Sequence, residues 1–88
     1  MLETLRDRYL ALSDHTACIR VGHRILAVEP AHEVTHRVLM CSYARQGRRH
    51  LALRQWNDCV AALSAELDAA PEHRTRQLYL SLRTSTAV

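Results

Sequence analysis

The chain has 88 residues, enough for one domain with a modest core and little surface to spare for an elaborate catalytic cleft. Apolar residues make up 48%, too many for a disordered chain, and two Gly and two Pro leave the backbone rarely interrupted. The formal charge of +3 comes from Arg alone and is interspersed with acidic residues, so no polybasic block marks a nucleic-acid binder.

Period-two alternation is absent, and the apolar residues follow helical spacing. Leu2, Leu5, Tyr9 and Leu12 step by three and four and predict a helix over about 2–13. Ser13 and Asp14 offer capping oxygens to a second helix, about 15–28, with Cys18, Ile19, Gly22, Ile25 and Leu26 on one face. Pro30 suits the first turn of a third helix, about 31–46, where its missing N–H costs nothing. Val34, Leu39, Met40 and Tyr43 follow, and Gln46-Gly47 end it. A fourth helix, about 48–69, carries Leu51, Ala52, Trp56, Cys59, Val60, Leu63 and Leu67 in a heptad-like seam. Pro71 and Glu72 break the chain before a fifth, about 74–84, with Leu78, Tyr79 and Leu82. Loops this short predict antiparallel helical hairpins.

No apolar run approaches the roughly 20 residues that cross a membrane, and the N-terminus is charged from Glu3 and lacks a signal core. Cys18, Cys41 and Cys59 form no C-x-x-C pair and read as reduced thiols. A cytoplasmic protein without membrane contact is expected.

Shifted by 34 residues, the sequence partly matches itself: Leu5 falls on Leu39, Tyr9 on Tyr43, Ser13 on Gly47, Cys18 on Ala52 and Ile25 on Cys59. Gly22 falls on Trp56, a small residue on a large one. That period is the tetratricopeptide one, with two helices per repeat. Two departures follow. The small residue usual on the first helix of a hairpin is Arg6 or Met40 here, which predicts looser hairpins. Pro71 stands 41 residues after Pro30, so the fourth helix should run about two turns longer. It is expected to protrude and offer Leu63 and Leu67 to the fifth helix.

Several short runs then carry a likeness: His36-Arg37 before Leu39-Met40, Tyr43-Ala44, Gly47-Arg48-Arg49, and Ala52-Leu53-Arg54-Gln55-Trp56. Cys59, Glu66-Leu67 ahead of Pro71, Thr75-Arg76 and Leu78-Tyr79 extend it. In order and spacing this resembles the bacterial transcriptional activation domain, the tetratricopeptide-like module of regulators of the antibiotic-regulatory-protein type. The likeness covers residues 29 to 80 closely and 2 to 28 more loosely. It implies an all-α fold and a regulatory protein–protein interaction role without catalysis or cofactor. In that family the module usually follows a winged-helix DNA-binding domain, for which these residues have no room. The partner implied is a protein or another domain of the same regulator.

His32, Glu33 and His36 compete with that reading, because HEVTH matches the H-E-x-x-H zinc-peptidase string. Two imidazoles one turn apart would hold zinc, with Glu33 as general base. Against this, the positive end of a helix dipole disfavours a dication, and no third ligand is marked. His36 also sits where the helix packs on its neighbour, so a buried imidazole with a backbone partner is expected. A metal-dependent hydrolase, or an adaptor unrelated to transcription, remains the alternative function. Cys18 and Cys59 take small, packed positions. Repeat positions place Glu3 and Asp7, then Val34, Arg37, Cys41 and Arg45, along a groove that an acidic peptide would enter against Arg37 and Arg45. Arg45, Arg48 and Arg49 form the densest basic cluster, but no interleaved aromatics accompany it, and direct nucleic-acid contact is not expected. If the fifth helix fails to cap the fourth, Leu63, Leu67, Leu78 and Leu82 are the candidate seam of a homodimer.

Overall fold

The computed structural model describes residues 14–84; the helix expected over about 2–13 and the tail from 85 lie outside them. The described residues form four helices and no strand: α1 (His15–Val28), α2 (Glu33–Arg45), α3 (Arg49–Leu67) and α4 (His73–Thr84).

Asp14 starts α1. Its Oδ1 accepts the Ala17 N–H at 3.1 Å and satisfies one of the donors that a helix N-terminus leaves unpaired. The buried face is Ala17, Cys18, Val21, Gly22 and Ile25, while Ile19 and Leu26 lie at its margins. Gly22 is required by contact: a Cβ there would stand 2.8 Å from Leu39 Cδ2, and Leu39 is fully buried. Leu39 of α2 thus packs directly onto the backbone of α1 at Gly22, where the other repeat carries Trp56.

Helix α2 begins at Glu33, later than the position that Pro30 suggested. A turn closed by His32 N–H on the Glu29 carbonyl, at 3.1 Å, takes up Pro30 and Ala31. The carbonyl of His32 then receives the first amides of the helix, from Thr35 and His36. Gly47 ends α2 at φ +73°, a conformation that costs a glycine nothing. Gly47 N–H bonds the Ala44 carbonyl at 3.0 Å and Arg48 N–H the Tyr43 carbonyl at 2.8 Å, closing the last turn. Helix α3 has 19 residues against 13 in α2, so the lengthening read from the proline spacing is present. It stops at Asp68, which takes up the left-handed conformation at φ 49°.

Hydrogen bonds at the ends fix the directions. Gln46 Nε2 donates to Thr16 Oγ1 at 3.0 Å, joining the end of α2 to the start of α1. Arg49 Nη2 donates to the Arg83 carbonyl, joining the start of α3 to the end of α4. Both pairs are thus antiparallel. Glu33 and Arg37 meet Glu72 and Thr75, so the first turns of α2 and α4 lie together and these helices run side by side in the same direction. Met40, Ala44, Ala52 and Leu82 pack together between them, flanked by Tyr43, Leu53, Trp56, Leu78 and Tyr79. Met40 occupies a position where a small residue was expected. Its volume is absorbed because Ala44 and Ala52 are small and α4 closes over it with Leu82. Trp56 stacks on Tyr79 with ring centroids 4.4 Å apart and planes 12° from parallel.

Helix α4 covers only part of α3. Leu63 is buried, but Leu67 is 61% exposed, contrary to the expectation that the last helix shelters both. The chain leaves α3 at Asp68 and restarts as helix at His73, then runs back toward the start of α3, so its packing begins below Leu67.

Candidate functional site

The HEVTH residues stand at the N-cap and first turn of α2, and His32, Glu33, Thr35 and His36 each bond within the molecule. His36 is 2% exposed. Its Nε2–H donates to the Pro30 carbonyl at 2.8 Å, and its Nδ1 accepts from Gln55 Nε2 at 2.9 Å. That pairing fixes the tautomer and occupies both nitrogens, leaving no lone pair for a metal. Burial holds the imidazole below its usual pKa, against the opposing pull of the Pro30 carbonyl, so the ring is neutral at physiological pH. His32 Nδ1 lies 2.7 Å from Thr35 Oγ1. Glu33 Oε2 accepts the Glu72 N–H at 2.7 Å and the Thr75 hydroxyl, with Arg37 Nη1 at 3.7 Å. The carboxylate that a peptidase would use as base instead anchors the N-terminus of α4. Among the described residues no three His, Cys, Asp or Glu side chains converge on a common point.

The arginines fall into two groups. Arg37 is 13% exposed at its side chain and bonds Thr75 Oγ1 at 2.8 Å and Glu72 Oε1 at 3.1 Å. Arg48 bonds Gln46 Oε1 at 3.2 Å and lies over the Tyr43 ring, 5.5 Å from its centre. Arg49 caps the C-terminus of α4 through the Arg83 carbonyl. Three of the five residues expected to face a partner are therefore engaged inside the molecule. Arg45 is exposed and makes no ion pair among the described residues, and the same holds for Arg74, which the repeat positions did not single out.

Arg74 lines a groove between α2 and α4, and Arg45 stands one turn beyond its Cys41 at the end of α2. A cavity of about 350 Å³ opens there, lined by Val34, Arg37, Val38, Cys41, Arg74 and Leu78. Cys41 is half-buried on its floor. Burial raises its thiol pKa in spite of nearby Arg45 and Arg37, so it stays protonated and unreactive near neutrality. Cys59 is fully buried, and its thiol is pushed up to about 12 by burial and then by Glu33. Helix α4 supplies half of this groove. Its Arg74 and Leu78 are one turn apart, a spacing legible in the sequence, but their juxtaposition with Val34 and Val38 comes from packing alone. Of the four leucines expected as a homodimer seam, Leu63 and Leu82 are buried in the core, Leu78 lines the groove, and Leu67 stands out in solvent. They do not form one continuous surface.

A second, more polar cleft of about 250 Å³ lies between α1 and α3, lined by His23, Tyr43, Leu51, Arg54, Gln55 and Asp58. His23 Nε2 and the Tyr43 hydroxyl are 2.8 Å apart at its edge. No described helix is long and apolar enough to cross a membrane.

Comparison with curated proteins and with solved structures finds no match. The family model described as the bacterial transcriptional activator domain matches residues 1–83. Helical throughout its described length and matched over nearly all of its residues, this chain belongs to the bacterial transcriptional activator domain family.

Proposed function

We propose that the chain is a non-catalytic, tetratricopeptide-like interaction module of a bacterial transcriptional regulator, acting in the cytoplasm as one domain over residues 1–88. The observation that carries this reading is the α2–α4 groove. Two side-by-side parallel helices, each paired antiparallel with α3, present an apolar floor with arginines at its rim. That is an arrangement for holding a protein surface, and the family is one of transcriptional activators. The full burial of Leu39, Ala52 and Cys59 and the turn at Gly47 support a tetratricopeptide-like hairpin. Binding would centre on Cys41, Arg45 and Arg74, with Arg37 held in place by its own ion pairs. A protein, or another domain of the regulator, is the partner this favours over nucleic acid, since Arg48 and Arg49 are spent on Tyr43, Gln46 and the end of α4.

The test replaces the chromosomal gene with a Val34→Glu variant. Val34 is 42% exposed on the groove wall, so the fold should tolerate the change. A defined set of transcripts should shift while the protein level holds. An unchanged transcript profile at normal protein level removes the regulatory reading.

A further inference from the structure

The groove asks for a particular occupant. Its apolar lining of Val34, Val38, Cys41 and Leu78 borders about 350 Å³, ample for one aliphatic side chain. Its charges are uneven. Arg37 is neutralised by Glu33 and Glu72, whereas Arg45 and Arg74 are exposed and pair with no carboxylate among the described residues. An apolar side chain with an acidic residue on each flank would satisfy both parts of the site.

The protein's own surface offers that arrangement. Leu67 is 61% exposed between Glu66 and Asp68, both exposed. Val28, at 78%, has an acidic neighbour on one side only, Glu29, and Leu80, at 40%, has none. Leu67 also ends a helix at a corner where Asp68 holds the left-handed conformation, so it projects from a backbone already fixed.

We propose that the groove is the socket for Leu67 of a second copy of this chain, with Glu66 and Asp68 meeting Arg45 and Arg74. This rests on reading the groove as an interaction surface. Plug and socket lie toward the same end of the molecule, because the chain passes from Leu67 to the start of α4, which is bonded to the first turn of α2. Two copies can therefore exchange leucines about a two-fold axis and close as a dimer rather than extend as a filament.

Sedimentation equilibrium on the full chain tests this. A monomer–dimer equilibrium is expected. Leu67→Ser and Arg74→Glu should each weaken it roughly tenfold or more, as expected on removing a central contact. Both residues are exposed, so neither change should lower the melting temperature of the monomer. Glu66→Arg combined with Arg74→Glu should restore pairing that each single reversal weakens. A chain that remains monomeric to millimolar concentration, or a dimer that Leu67→Ser leaves unchanged, overturns the proposal. If the chain is monomeric yet Val34→Glu alters transcripts, self-pairing fails while the groove stands as a surface for a foreign acidic segment. If charge reversal rescues the dimer and transcripts do not respond, self-pairing stands and the regulatory reading fails.

Discussion

His36 keeps both ring nitrogens in use inside a nearly dry site, Nε2 on the Pro30 carbonyl and Nδ1 on the Gln55 amide. Protonation would place a second N–H against the Gln55 NH2 group and a charge where burial opposes it. An imidazole in the unfolded chain titrates near about 6.5. The folded value is lower, so between the two the unfolded chain binds a proton that the fold refuses. The resulting stability is present above about 6.5 and is lost as pH falls through the folded value. Melting temperature should therefore drop as the pH goes from about 7.5 to about 5, in the range where histidines titrate. In His36→Gln, which keeps a donor for Pro30, the drop should be shallower. Parallel melting curves for the two proteins would assign the acid sensitivity elsewhere. Removing the Gln55 amide as Gln55→Leu strands Nδ1 in the interior, a loss of roughly 1–3 kcal/mol that urea titration would register.

Among the elements, α4 depends on a carboxylate that is not its own. In a local capping box, an acidic side chain three residues into the helix bonds back to the amide at the cap. That third position holds Thr75 here, and Glu33 reaches across from α2 to take the Glu72 amide and the Thr75 hydroxyl. Glu33→Gln keeps the shape and removes the charge. It should cost roughly 1–3 kcal/mol, the range for charge-assisted hydrogen bonds at a half-buried site. Amide exchange should speed in α4 and hold steady in α1, and uniform acceleration across all four helices would contradict an α4-specific cap. Much at this scale was legible in advance. Apolar spacing, Asp14, Gly47 and the proline interval fixed α1, the end of α2 and the length of α3, because those signals act within a few residues. The HEVTH residues, and Arg37 and Arg49, were harder to interpret. Apart from their mutual i,i+4 pair, the partners of Glu33 and Arg37 lie 35 to 42 positions away and that of Arg49 lies 34 away, so only packing reveals how these groups are bonded. Leu67 was misplaced for a related reason: covering it depended on where α4 restarts, which no local pattern sets.

For the molecule as a whole, α2 is the hub. It packs on α1 through Leu39 and Gly22, on α3 through Met40, Ala44 and Ala52, and on α4 through Leu82 and the Glu33–Arg37 pair. A domain of this length has roughly 5–10 kcal/mol of total stability. Met40→Ala empties a fully buried site and should cost roughly 2–5 kcal/mol, a large part of that sum. Chemical denaturation should show the midpoint falling with an unchanged slope, as for a single cooperative unit. A changed slope or a biphasic curve would mean that α4 unfolds apart from the rest. The stack of Trp56 on Tyr79 provides a way to watch that separation without a label. The chain has one tryptophan, and its indole lies across the seam between α3 and α4. Its emission is thus a built-in optical gauge of how firmly the last helix is seated, shifting to the red as water replaces the tyrosine ring.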